Sequence, residues 1–306
     1  MSVLNVMKKY IILLLLLPTF ASAKIAEDKA LLEITKTKSI EKLYAKNTDY
    51  NSSLEFPPAI NVAAWATAYY SGSIKVGDLL IDIREDETSY RIEAHLLTSG
   101  LIRRLTKFSS KSVVTGVKKN GRYIPKTFNS TRMLKGKKKT SVIEYDDTGK
   151  VIKSVVNPPD KTWKRPVVGQ NLRDYTVDPL TMILVARQHA YNAHNSAEKT
   201  PFDLPIYDAR RRSNFLFLLN DMQEIKYKRK DIQTRHLSYE REIISGFTDR
   251  ELKRIEDQEP VVDFYVSEKY KFLPVKAHGA APLGAADAKV RKFCATLDEC
   301  FKKYKD

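Results

Sequence analysis

Apolar residues recur at every second position over most of this chain. Leu79, Ile81 and Ile83 alternate with Asp82 and Arg84, and Tyr90, Ile92, Ala94 and Leu96 alternate with Arg91, Glu93 and His95. A period of two sends alternate side chains to opposite faces of a pleated strand, so these stretches read as antiparallel strands buried on one side. Asn120-Gly121 predicts a two-residue hairpin turn. Lys135-Gly136-Lys137 and Asp146-Asp147-Thr148-Gly149 mark two further turns. Between them, strands are predicted over Val113–Lys118, Arg122–Leu134, Thr140–Tyr145 and Lys150–Val156. With a first strand from Asn61, turning at Ser71-Gly72-Ser73, six or seven sequential strands precede Asn157-Pro158-Pro159-Asp160. A later set is predicted over Leu204–Tyr207, Phe215–Leu219, Glu224–Lys230, Thr234–Ile243 and Val262–Val266. Phe272-Leu273-Pro274-Val275 reads as a last edge strand, where a proline costs no ladder hydrogen bond.

One stretch breaks the period. Asp178-Pro179 is a helix start, because the carboxylate accepts from first-turn amides and proline gives up a donor that had no partner. Leu180, Met182, Ile183, Leu184, Val185 and Ala186 then place apolar groups almost all the way round, which predicts a buried helix. Gly100–Leu105 reads as a short helical or bent link, and Thr248 or Asp249 as the cap of a helix running to about Asp257. The fold class is therefore mainly β: a curved antiparallel sheet or open half β-barrel wrapping one central buried helix, with short peripheral helices.

The chain ends modify this picture. Met1–Ala23 holds Lys8 and Lys9, an apolar run from Tyr10 to Leu17, and Ala21-Ser22-Ala23, the pattern of a secretory signal peptide cut after Ala23. No later run is apolar and long enough to anchor the chain, so a periplasmic location is expected. Residues 24–60 read as an N-terminal arm and linker, 61–284 as one core domain, and 285–306 as a basic helical C-terminal tail. The formal charge is +16, and removing Lys8 and Lys9 leaves +14. After export such a surface meets anionic envelope lipid, lipopolysaccharide and acidic glycan such as peptidoglycan, with peripheral membrane contact, whereas nucleic acid is a poor partner. Cys294 and Cys300 are six apart, too far along one continuous helix for a disulfide, so either the helix breaks between them to allow the local disulfide loop we favour, or each pairs with another chain, or both stay reduced.

Candidate chemistry is sparse. In Asp208-Ala209-Arg210-Arg211-Arg212, a strand would put Arg210 and Arg212 on one face and Arg211 on the other. An inward guanidinium needs a carboxylate, with Asp178 and Asp208 the natural partners, or serves as a phosphate or carboxylate clamp. Trp65, Tyr69 and Tyr70 form either an aromatic rim for lipid or sugar, or core and edge packing. Lys135–Lys139 is a head-group contact or a solvated hairpin tip. His189 and His194 are five apart and do not align for a metal, and no metal, cofactor or nucleophile motif is present. No catalytic residue is assigned.

Tyr70–Gly77, Tyr90–Ala94 with Thr98–Leu101, Asp178-Pro179-Leu180, Tyr207–Arg212 and Phe272-Leu273-Pro274 together resemble a proteobacterial envelope family catalogued as domain of unknown function 3108. The resemblance covers about Asn61 to Gly284. Ala209 stands where the family usually has glycine, which argues against a required left-handed turn there. The resemblance implies a secreted, mostly antiparallel β-protein, and by fold analogy a lipoprotein-carrier type of open barrel. The leading expectation is a non-enzymatic periplasmic protein that binds an acyl chain or anionic lipid-linked ligand. An adaptor for envelope proteins or peptidoglycan is the alternative, and a glycan or lipid hydrolase the third.

Overall fold

The computed structural model describes residues 54–70, 74–196, 200–256, 261–281 and 284–305. The expected leader, most of the arm and the Ser71-Gly72-Ser73 turn lie outside the described residues. Seven strands come first: β1 (Asn61–Tyr70), β2 (Ile74–Glu85), β3 (Ser89–Thr98), β4 (Ser109–Lys119), β5 (Arg122–Leu134), β6 (Lys137–Tyr145) and β7 (Val151–Asn157). Six follow: β8 (Phe202–Tyr207), β9 (Arg212–Tyr227), β10 (Lys230–Ser245), β11 (Val262–Ser267), β12 (Leu273–Ala281) and β13 (Gly284–Cys294). All thirteen form one antiparallel sheet in the order β7-β6-β5-β4-β3-β2-β1-β13-β12-β11-β10-β9-β8. Two meanders are thus joined through β13, the last strand of the chain pairing with the first.

Local chemistry explains the turns. Asn120 and Gly121 both have positive φ, 50° and 69°, as the mirror-image hairpin turn requires. Lys228 and Arg229 do the same at 51° and 63° without any glycine, so the expected strands Phe215–Leu219 and Glu224–Lys230 are instead one long β9 that turns back into β10. Two further expectations are corrected. The Phe272–Val275 strand is not an edge: β12 lies between β11 and β13, and Pro274 is tolerated because its partner Val266 sits at a register shift. Residues 285–306 are not a helical tail throughout, since Gly284–Cys294 is a sheet strand and only Leu297–Lys305 is helical. Cys294 ends that strand and Cys300 lies in the helix, so the chain bends between them and the two form a disulfide with Cα atoms 5.7 Å apart.

The sheet is not closed into a barrel, and β7 and β8 are its edges. They nonetheless meet. Ser154 Oγ of β7 lies 2.8 Å from Tyr207 Oη of β8, and the segment before the main helix fills the seam. Tyr175 N donates to Gly149 O at 3.0 Å on the β7 side, while Val177 bridges in parallel to Ile206 of β8. Both edges are thereby partly covered, which reduces the number of exposed ladder groups.

The helices are few and short: α1 (Gly100–Thr106), α2 (Gln170–Arg173), α3 (Thr181–Ser196), α4 (Asp249–Glu256) and α5 (Leu297–Lys305). None among the described residues is long and apolar enough to cross a membrane. At the start of α3, Asp178 Oδ1 accepts from Leu180 N at 2.9 Å and Thr181 N at 3.2 Å. Leu184, Val185, Ala190 and Ala193 are buried, but so are Thr181, Arg187, Gln188 and His189. The expectation of an apolar girth is therefore corrected: polar anchors hold much of this helix. Arg187 NH1 pairs with fully buried Glu85 of β2 at 2.8 Å, and its Nε reaches Lys271 O at 2.8 Å. Glu85 also receives Lys118 Nζ at 3.0 Å and Tyr123 Oη at 2.7 Å. At the far end, Asn192 exchanges two hydrogen bonds with the Glu55 backbone, so the last described part of the expected linker caps α3. At the near end, Tyr90 Oη meets Thr181 Oγ1 at 2.9 Å. That ring needs Gly116 opposite it, because a Cβ there would sit 2.3 Å from the ring.

Candidate binding cavity

The register of the first five strands places three rungs on one face. Arg132, Ser110, Leu96, Leu79 and Ala66 lie side by side from β5 to β1, and Ala66 continues to Val290 of β13. The next rung is Ser130, Ser112, Ala94, Ile81, Ala64 and Phe293, and the third is Phe128, Val114, Ile92, Ile83 and Val62. The third rung is filled by large apolar side chains. The first two carry alanine and serine where a packed face would carry valine or leucine, and the missing volume appears as a cavity of about 280 Å³. Pro179, Leu180, Met182 and Ile183, from the start of α3, cover it, and Phe264 with Leu273 closes another side. Its wall is almost wholly apolar.

Thr67, Asp78 and Lys276 also line this space, and the other polar groups gather at its β4–β5 border. Ser112 Oγ donates to Ser130 Oγ at 2.9 Å. Arg132 lines the cavity beside Asp208 and Arg211. The Arg132 side chain makes no hydrogen bond or ion pair among the described residues; burial, and then the neighbouring Arg211, pull its pKa down to about 10. Asp208 is already engaged: its Oδ2 accepts from Arg211 Nε at 2.8 Å, and its Oδ1 from the Arg210 and Arg211 backbone amides. Burial raises the Asp208 pKa, but Arg211 and Arg132 outweigh it and hold the carboxyl well below the usual range.

Behind these residues lies a cationic cluster. Arg210 pairs with Asp160 at 2.9 Å, and Arg165 with Glu251 at 2.7 Å. Glu251 also closes a capping box, its Oε2 accepting from Thr248 N at 2.9 Å at the start of α4. Arg241, buried, lies 4.8 Å from the Phe247 ring centroid, and its NH1 has no hydrogen-bond partner among the described residues. Burial, with Arg211 nearby, lowers its pKa to about 9. Among the described residues, Arg132, Arg165, Arg210, Arg211, Arg241 and Lys139 thus face Asp160, Asp208 and Glu251, an excess of positive charge beside an apolar space. Gly246 permits the close packing here: its φ is 81°, and a Cβ would fall 2.1 Å from Arg210 O.

Of the residues singled out from sequence, Arg211 and Asp208 line the cavity. Arg210 is turned to Asp160, and Arg212, 1% exposed, donates to the carbonyls of Leu172 and Ser213 and lies in no ion pair among the described residues. The expected shared face of Arg210 and Arg212 fails because Asp208–Arg211 is a turn, with Asp208 N bonded to Arg211 O. In that turn Ala209 has φ 71°, so the expectation against a left-handed residue is overturned as well. Asp178 pairs with no arginine among the described residues; burial raises its pKa to about 6 while its bonds to Thr181 and Leu180 oppose the rise.

Trp65, Tyr69 and Tyr70 are not among the cavity's lining residues. Trp65 Nε1 donates to buried Asp78 at 2.9 Å and packs on the disulfide, Tyr69 stacks under Arg291, and Tyr70 packs on Val76 and Ile102. Arg132 was the residue missed from sequence. Its signal was parity: Ser130 and Arg132 share the face on which Phe128 is buried.

No group of three or more potential metal-binding side chains lies together among the described residues. A search of curated proteins finds no significant match. Among solved structures, the chain is similar to a beta-barrel-like protein of domain of unknown function DUF1849 from Brucella abortus, with 10% identity and TM-score 0.46 over 76% of this chain and 97% of that one. A candidate lipoprotein from Parabacteroides distasonis aligns at 9% identity and TM-score 0.33, over 79% and 98%. A DUF1329 family protein from Desulfovibrio piger aligns at 8% identity and TM-score 0.22, over 84% and 92%. Residues 66–291, more than half of the chain, match the family described as protein of unknown function (DUF3108), and the chain belongs to that family.

Proposed function

We propose that this protein binds, without chemically transforming it, an amphiphile with one apolar chain and an anionic head, and does so outside the cytoplasm after export. In this reading the sheet curls around α3 as a cradle. The apolar chain lies on the alanine and serine rungs under Pro179–Ile183, and the head group sits at Arg132 with Arg211 behind it. One observation carries the reading: a guanidinium with neither a hydrogen bond nor an ion pair among the described residues lines an apolar cavity. A half-buried guanidinium at an apolar wall gains from an anionic partner, and a carboxylate or phosphate supplies charge-assisted hydrogen bonds. The cavity is at the small end of ligand pockets, which run to roughly 300–1,000 Å³, and suits a single slender chain.

Solvent extraction and native mass spectrometry of the purified protein test this. A co-purified or exchangeable anionic amphiphile is expected at one per chain. Repeated absence of any such species, with no uptake of added fatty acid or lysophospholipid, contradicts the reading.

A further inference from the structure

We infer that the loop from Asp160 to Val168 docks this protein onto an anionic lipid surface, with Trp163 and Val167 entering the interface. Trp163 is 75% exposed and Val167 66% exposed. Lys164 Nζ lies 4.6 Å and Lys161 Nζ 5.7 Å from the Trp163 ring centroid. The tip is a tight turn, with Lys164 N bonded to Lys161 O at 2.9 Å. Its flanks are pinned: Asp160 to Arg210 and Lys139, Arg165 to Glu251 and Gly246 O, and Val168 into the core. The indole is therefore held outward by a loop with buried anchors.

The chemistry of this tip selects its partner. Indole prefers the boundary between hydrocarbon and water, where its ring is buried and its N–H stays hydrated. Each lysine near an anionic leaflet contributes roughly 1 kcal/mol. A tryptophan and a valine offer too little area for a stable protein interface, which needs about 1,000 Å² or more, yet enough for an interfacial anchor. The same loop reaches the arginine cluster beside the cavity through Asp160 and Arg165, so docking would bring the polar border of that cavity toward the head groups. The inference goes beyond ligand binding and stands without it.

The chain has two tryptophans, so Trp65→Phe leaves Trp163 as the only reporter. Vesicles of phosphatidylglycerol and phosphatidylethanolamine should shift its emission to the blue and let brominated acyl chains quench it, while phosphatidylcholine alone should not. In the parent protein, Trp163→Ser should weaken vesicle partitioning roughly tenfold, about 1.4 kcal/mol, as should Lys161→Glu with Lys164→Glu. Trp163→Ser should leave the uptake of a soluble fatty acid at one per chain unchanged, because Trp163 does not line the cavity, which separates docking from cavity binding. Vesicle binding with unshifted, unquenched Trp163 would overturn the inference, because the general basic surface would then account for it. So would a concentration-dependent dimer abolished by Trp163→Ser, since a second copy would then cover the tip.

Discussion

One end of the sheet and its middle fill the interior differently. Around β8–β10 the space is packed with rings: Phe202 stacks on Phe217 at 4.8 Å, Phe215 meets Tyr239 at 4.7 Å, and His189 of α3 stacks on Phe202 at 3.5 Å. Around β1–β4 the corresponding face carries Ala64, Ala66, Ala94, Ser110 and Ser112, and a cavity remains. The same helix serves both regions. Its body touches the ringed half and is pinned by Arg187, while its first turn roofs the hollow half. The difference shows that empty space here follows from residue choice on two rungs rather than from a missing element, since neighbouring rungs on the same strands are filled.

Substitutions on either side should break this contrast. Phe217→Ala removes a ring from a close-packed stack and should lower stability by about 3–5 kcal/mol in denaturant unfolding. Ala94→Val adds two carbons to the hollow half and should raise stability by up to about 1.6 kcal/mol, because each newly buried methylene contributes about 0.8 kcal/mol. A loss of about 1–3 kcal/mol for Ala94→Val would mean overpacking and no usable space. Arg187→Ala should cost about 3–5 kcal/mol, since it strands Glu85 in the interior. Arg187→Met with Glu85→Gln should recover much of that loss.

His189 gives the most selective probe of the filled half. Burial lowers its pKa to about 3 from 6.5. The unfolded chain takes up a proton below 6.5 that the folded protein refuses, so this residue's contribution is intact above pH 6.5 and is lost as pH falls toward 3. The stability of His189→Phe relative to the parent should therefore rise by about 1.4 kcal/mol per pH unit across that window. A pH-independent difference would show that the ring is hydrated.

Much of the strand plan was legible because one face is buried and the other wet. Arg122–Leu134 matches β5 at both ends, and Asp178-Pro179 stands at the start of α3. The failures have physical causes. Lys228-Arg229 turns a hairpin with residues that normally avoid positive φ, so no turn signal was visible. The stretch around Gly279 and Gly284 has the composition of a linker, yet it pairs because β11 and β1 supply ladders on both sides. The cavity was not legible, since small residues on a strand face reveal space only once the register sets them side by side. The arginines were legible as a group but not by partner: Asp160, fifty residues away from Arg210, is brought in by the long excursion after β7.

The most direct test of the central claim is titration of a fluorescent long-chain carboxylic acid into the parent protein and into Arg132→Gln. Saturable binding near one per chain is expected in the parent. The variant should bind roughly tenfold or more weakly, as loss of a charge-assisted hydrogen bond worth about 1.5–3 kcal/mol requires. Its melting temperature should not fall, because Arg132 makes no ion pair among the described residues and lies beside Arg211. Equal affinity in both proteins, or no saturable binding in either, would contradict the account.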